Sequence, residues 1–186
     1  MNIAGHRKAK HLSGKGNPMR KLVIGARLGI VVMLVVLGAC SASGGDSTDD
    51  ESRRIQDMWD IDQIEKDFHR ATTEKDIDLM VSLFAPNATM TVGPGATASG
   101  IEEIRRFWLE ESAPFAAENT WISDHPAYKL EITVNGDRGT LHFECHFVDA
   151  QTEQIASATT ADFDVARIDG EWLITNMVGG TTVLEA

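Results

Sequence analysis

His142-x-Glu144-x-His146 sets two imidazoles and a carboxylate at alternate positions. On a β-strand the period of two points all three to one face. Asp162 and Asp164 join that face if the polar segment around 149–156 closes a hairpin. Imidazole and carboxylate together make a donor set suited to a transition metal. A plainer reading competes with it: Leu141, Phe143, Cys145 and Phe147 hold the intervening positions and claim the core. His142, Glu144 and His146 then lie on an outer face and balance the neighbouring acids as cross-strand pairs. The second reading is the stronger, so no metal and no other cofactor is expected. His69 follows Phe68 at the border of an apolar helical stripe. There an imidazole of ordinary pKa serves as base or donor at a pocket mouth, or simply as a boundary residue. Trp59, Trp108, Trp121, Tyr128, Phe143 and Phe163 supply aromatic surface. An apolar ligand pocket is expected among Phe68, His69, Trp108, Trp121 and Tyr128, with Asn176 and Asp162 as polar groups. Cys145 has no basic neighbour in sequence to favour a thiolate, and reads as an inert buried thiol.

The elements that must carry these residues follow from periodicity. Asp60 with Gln63 makes a capping pair ahead of Ile61, Ile64, Phe68 and Ala71, which predicts a first helix. A second opens at Asp76, faces Ile77, Met80, Val81 and Phe84 inward, and closes at Pro86. Residues 88–92 have strand character, and 93–100 read as a Gly/Pro/Ala/Ser loop. Ser99 with Glu102 makes another capping box, opening a third helix to about Ser112, before Pro114. The period then falls to two. Tyr128 to Val134 alternates, Asn135-Gly136-Asp137 turns, and Leu141 to Phe147 alternates again. A strand with Ala161, Phe163 and Val165 on one side leads through Asp169-Gly170 to a last strand ending near Val178. Helices first and strands afterwards means α+β, a curved antiparallel sheet with helices on one face.

Ahead of this domain, Leu28 to Ala39 contains no charged residue, basic residues Arg20, Lys21 and Arg27 precede it, and small residues end it. That is the charged, apolar and small order of a secretory signal, and its apolar core falls short of the roughly 20 residues of a comfortable membrane span. Its ending, Leu37-Gly38-Ala39-Cys40, resembles the lipobox of bacterial lipoproteins. The resemblance implies cleavage before Cys40 and lipid on the Cys40 sulfur and new amino group; the alternative is an uncleaved signal anchor. Expected segments are a signal over 1–39, an acylated Cys40 with a flexible acidic linker over 40–54, and a domain over 55–186. Translation from Met19 instead of Met1 would give a signal of more usual length.

The whole chain carries a formal charge of −11, with 17 Lys and Arg against 28 Asp and Glu. Removing residues 1–39 takes seven basic residues and no acid, leaving ten against 28, a charge of −18. Such a surface repels phosphate backbones, so nucleic acid is excluded as a partner. With Cys40 lipidated, Cys145 is the remaining cysteine, and no disulfide framework is available to a monomer.

The segments "DIDLMVSLFAPNATM", "GIEEIRRFW", "VNGDRGTLHF" and "DGEWLITNM", in that order, closely resemble the SnoaL-like branch of the NTF2-like superfamily over about residues 55–183. The resemblance implies a cone, a bent sheet wrapped round about three N-terminal helices with a pocket at its wide end, and pairing through the sheet as a homodimer. It implies no single activity, because one such fold hosts enzymes and binders alike. The general-base Asp of ketosteroid isomerases falls on Val92 or Gly93, and their oxyanion-holding Tyr falls on Phe68. Neither the base nor the donor of that mechanism is therefore present. The catalytic His of scytalone-dehydratase-like members falls on Trp121, with His125 four residues on. The expected function is a lipid-anchored, extracytoplasmic cell-envelope protein binding a small apolar ligand or a protein partner without catalysis. The alternatives are a hydrolase, cyclase or dehydratase using His69 or His125 as base, and a structural dimerisation module.

Overall fold

The computed structural model describes residues 46–123 and 127–183. The first helix, α1, spans Asp46–Glu74 and buries Ile61, Ile64, Phe68 and Ala71, the expected stripe. It begins well before Asp60, so Asp46 to Arg54 is helical where a coil was expected. Acidic residues at its start suit the positive end of the helix dipole, and Glu51 pairs with Arg54 at 2.9 Å. Asp60, no longer a cap, accepts from Gln56 Nε2 at 2.8 Å. The helix ends at Lys75, in the left-handed region at φ 55. Lys75 Nζ donates to the carbonyls of Ala116 at 2.5 Å and Asn119 at 2.7 Å, fastening a distant loop to the end of the helix.

Helix α2, Ile77–Ser82, has Asp76 as its N-cap, accepting from the Leu79 N–H at 2.9 Å as the sequence predicts. It stops before Phe84, which opens strand β1, Phe84–Val92. Pro86 therefore lies within a strand, in the interval where β1 loses register with its neighbour, a place that tolerates a missing N–H. The expected loop after β1 contains strand β2, Ala96–Ser99, joined to β1 by a turn with Gly93 and Gly95 at positive φ. Helix α3, Ile101–Glu110, is capped by Gly100 and not by Ser99. The back-bond comes from Glu103, whose carboxylate accepts from the Ser99 N–H at 2.9 Å. A 3-10 turn at Ala113–Phe115 follows, with Pro114 and Phe115 buried.

The remaining strands are β3 (Trp121–Ser123), β4 (Lys129–Asn135), β5 (Arg138–Asp149), β6 (Gln154–Ile168) and β7 (Glu171–Val183). They build one seven-stranded sheet in the order β2-β1-β7-β6-β5-β3, with β4 also pairing β5. The sheet is mixed: β1 runs parallel to β7, and the other pairings are antiparallel. A parallel pair needs a long crossover, and α3 with five intervening strands separates β1 from β7. Along β5, Leu141, Phe143, Cys145 and Phe147 are buried while the alternate residues are half-exposed.

The helices pack on one face of this sheet. Phe68, Trp108, Phe143 and Phe163 knit α1, α3, β5 and β6 together, with Phe68 centroids 5.5 Å, 5.6 Å and 5.5 Å from Trp108, Phe143 and Phe163. The Phe68–Trp108 pair is near-perpendicular and the other two are tilted, and such pairs add to the roughly 1.5–3 kcal/mol that burying each large apolar side chain contributes. Close approach of both β4 and α1 to β5 requires Gly139: a Cβ there would stand 2.5 Å from the Thr133 carbonyl oxygen of β4 and 3.1 Å from Ile61 Cδ1 of α1. At the other end of the contact, Arg167 bonds the buried Asp57 of α1 and, at 3.2 Å, Asp137 in the β4–β5 turn. Its guanidinium also lies 4.7 Å over the Trp172 ring.

Candidate functional site

A cavity of about 220 Å³, partly open to solvent, lies where α1, α3, the end of β1 and strands β5 to β7 meet. Its apolar wall comes from Phe68 on α1, Phe107 and Trp108 on α3, Pro114, Phe147 on β5 and Met177 on β7. Helical spacing explains the first of these, since Phe68 and Thr72 are one turn apart on the same side of α1. Alternation explains Thr159, whose position continues the inward series of Ala161, Phe163 and Val165. Thr159 Oγ1 and Thr181 Oγ1 are 3.0 Å apart, and Thr72 Oγ1 donates to the carbonyls of His69 at 2.8 Å and Phe68 at 3.2 Å. Glu111 is the one charged side chain lining the cavity among the described residues, and it is exposed.

Of the expected pocket residues, Phe68 and Trp108 line this cavity. Trp121 packs on Phe147 from β3, its centroid 6.0 Å away. Tyr128 is exposed and stacks on His146 at 4.7 Å. Asn176 faces the other side of the sheet, where it accepts from Thr89 Oγ1 at 2.8 Å and donates to Asp164 at 3.2 Å. Trp59 is 58% exposed with Lys66 Nζ 4.9 Å over its ring, and so belongs to no pocket. His69 is fully buried and not at a pocket mouth: its Nδ1 lies 2.9 Å from Glu65 Oε1, and its ring meets Phe143 at 4.9 Å. One residue of helical rotation separates it from Phe68 and turns it away from the cavity wall. His125 and Cys40 lie outside the described residues. Cys145 is a buried thiol.

His142, Glu144 and His146 share the outer face, as the alternation predicts, and Asp162 sits directly across from His142. The three do not converge on one point. His142 Nδ1 is 2.8 Å from Asp162 Oδ1 and its Nε2 is 3.4 Å from Glu144, while His146 stacks on Tyr128. The Asp162 hydrogen bond raises the His142 pKa above the ordinary imidazole value, against a smaller opposing effect of burial. Lys129, then His142, holds the Glu144 carboxyl below its usual range. Among the described residues no group of three His, Cys, Asp or Glu side chains is arranged to hold a metal. A broader groove of about 480 Å³ crosses this outer face past Lys129, His142, Asp162 and Asn176. It is more open and lined mostly by charged and polar residues, whereas a small ligand gains most where apolar walls surround it, so the interior cavity is the better candidate.

Among the solved structures the chain is similar to an NTF2-like protein with a cystatin-like fold from Novosphingobium aromaticivorans. The match has a TM-score of 0.57 and 16% identity, and covers 77% of this chain and 94% of that one. An NTF2-like protein from Pseudomonas putida matches with a TM-score of 0.57 at 17% identity, over 72% of this chain and 87% of that one. A proposed dehydratase of the NTF2-like family from Streptomyces avermitilis matches with a TM-score of 0.55 at 13% identity, over 70% and 99%. At these identities the likeness is one of fold. No curated protein matches the sequence. The model of the SnoaL-like domain matches residues 53–178, from within α1 to within β7, and the chain belongs to that family.

Proposed function

We propose that this protein is a lipid-anchored, extracytoplasmic binder of a small apolar molecule, held in the cavity between α1, α3 and the sheet, and that it binds without catalysis. The family includes both binding and catalytic proteins, so membership alone decides nothing. The observation that carries the reading is the make-up of the cavity wall: Phe68, Phe107, Trp108, Pro114, Phe147 and Met177 dominate it, Ser and Thr hydroxyls complete it, and its one titratable side chain among the described residues is the exposed Glu111, with no imidazole. General acid–base catalysis requires a titratable group within hydrogen-bond reach of the reacting atom. His69, the buried imidazole, is paired with Glu65 and is absent from that wall. Val92 and Gly93 border the cavity, where an isomerase of this fold would need its base.

The anchoring rests on Leu37-Gly38-Ala39-Cys40 behind an apolar run. Replacing Cys40 with Ser should release the protein from the membrane fraction or leave it unprocessed; fractionation like the parent's removes the lipid anchor from the proposal. Binding without turnover is tested by native mass spectrometry of the full chain taken from membranes in mild detergent. A retained small molecule that is chemically unchanged after prolonged incubation is expected. Progressive conversion of that molecule would instead make the protein an enzyme.

A further inference from the structure

We propose that two copies of this chain pair edge to edge through β4, antiparallel about a two-fold axis at Ile132, and so join their sheets into one. Among the described residues β4 bonds β5 alone, so its far edge carries no strand. The turn into β5 fixes which main-chain groups that edge offers. Asn135 faces Arg138 across Gly136-Asp137, with Gly136 at φ 61, a two-residue hairpin whose flanking pair is hydrogen-bonded. Counting back by twos, Asn135, Thr133, Glu131 and Lys129 turn their main-chain groups toward β5. The Thr133 carbonyl agrees, since its oxygen is the atom a Cβ on Gly139 would strike. The N–H and C=O groups of Leu130, Ile132 and Val134 therefore point away from β5.

An open edge is a template for another strand, and proteins usually guard one with proline, a bulge or an inward-facing charge. β4 has none of these. Its sequence, KLEITVN, lacks proline, and its register with β5 runs unbroken from Lys129 to Asn135. Its inward residues are Leu130, Ile132 and Val134, across from Phe143, Leu141 and Gly139. Leu130 is 40% exposed although its partner Phe143 is fully buried. The charge of Lys129, at the end of the strand, is taken up by Glu144 at 3.0 Å.

The strand's own register names the occupant. Antiparallel pairing about Ile132 sets Ile132 against its copy and Leu130 against Val134, each pair exchanging two main-chain bonds. Those are the groups that β5 leaves open, so one register satisfies them together. On the outer face it sets Lys129 against Asn135 and Glu131 against Thr133, with no like charges opposed. It also covers Leu130 with the second copy's Val134. The broad outer face offers a copy less. There Glu131, Glu144, Asp162 and Asp164 outnumber Lys129 and His142, and two such faces repel.

Sedimentation equilibrium of the full chain in density-matched detergent should show a reversible monomer–dimer equilibrium. Thr133→Glu sets a carboxylate against the second copy's Glu131 twice in the pairing, and should weaken the dimer about tenfold. Thr133→Lys sets an ammonium there and should tighten it, although both variants lose the same Thr133–Thr140 hydroxyl bond. Mild oxidation reads the register. Ile132→Cys should give a covalent dimer, because Cα atoms of a hydrogen-bonded antiparallel pair stand about 5.5 Å apart, within disulfide reach. Lys129→Cys should give no more than the parent, its copy lying about 20 Å along the strand. A chain that stays monomeric at every concentration, a dimer indifferent to the charge at position 133, or crosslinking at 129 as readily as at 132 overturns the pairing.

Discussion

His142 shows how a suggestive spacing acquires an ordinary physical meaning. Its two nitrogens face Asp162 and Glu144, and Lys129 bridges to Glu144 at 3.0 Å, so charge on this outer face is balanced locally. The raised pKa of His142 implies that the pair's contribution to stability is complete below the unfolded imidazole's pKa and is lost as pH rises through the folded one. For an exposed pair that contribution is under about 1 kcal/mol. Asp162→Asn should therefore move the NMR titration midpoint of His142 downward and destabilise the protein more in mildly acidic than in mildly alkaline buffer. An unchanged midpoint would show that Asp162 does not hold the imidazole. Strand alternation made the common face of His142, Glu144 and His146 legible in sequence, but not their separation, which depends on Tyr128 stacking on His146. His69 was less legible. A stripe locates a helix border, and whether the border is covered depends on Phe143, distant in sequence.

At the scale of elements, strong periodicity was readable and short or compensated segments were not. The inward faces of β5 and β6, the Asp76 cap and the order of helices then strands follow directly from the sequence. β2 escaped notice because Ala96 and Ala98 carry little strand propensity and hydrogen bonding to β1 defines it. The start of α1 escaped because nothing before Ile55 is apolar; its charges and its attachment further on define that end. Parallel pairing of β1 with β7 is a long-range choice with no local signature. Gly139 marks where α1 presses on the sheet. Gly139→Ala should destabilise by about 1–3 kcal/mol, as overpacking does, read as a lower denaturant midpoint. Gly180→Ala, whose Cβ would meet nothing within 4 Å, should stay within about 0.5 kcal/mol. Equal midpoints for the two variants would mean that the Thr133 carbonyl of β4 and Ile61 of α1 both give way easily.

The whole molecule combines a net acidic composition, an uncharged apolar stretch of sequence ahead of the described domain and a largely apolar hollow between helices and sheet. Its cavity was half-legible: Phe68 and Trp108 were expected, while Thr72, Phe107, Phe147, Thr159 and Met177 were not. Extending the inward alternation of β6 back by one step would have found Thr159; Met177 needed knowledge of where β7 lies. Filling the hollow gives the most direct test of the central claim. Thr159→Phe places a ring on the cavity wall at a position already buried, and should leave the circular dichroism and unfolding midpoint close to those of the parent. Native mass spectrometry should then show a small apolar molecule bound to the parent and none bound to Thr159→Phe. Equal retention by both proteins, or an unliganded parent that takes up no acetophenone, would contradict ligand binding in this cavity.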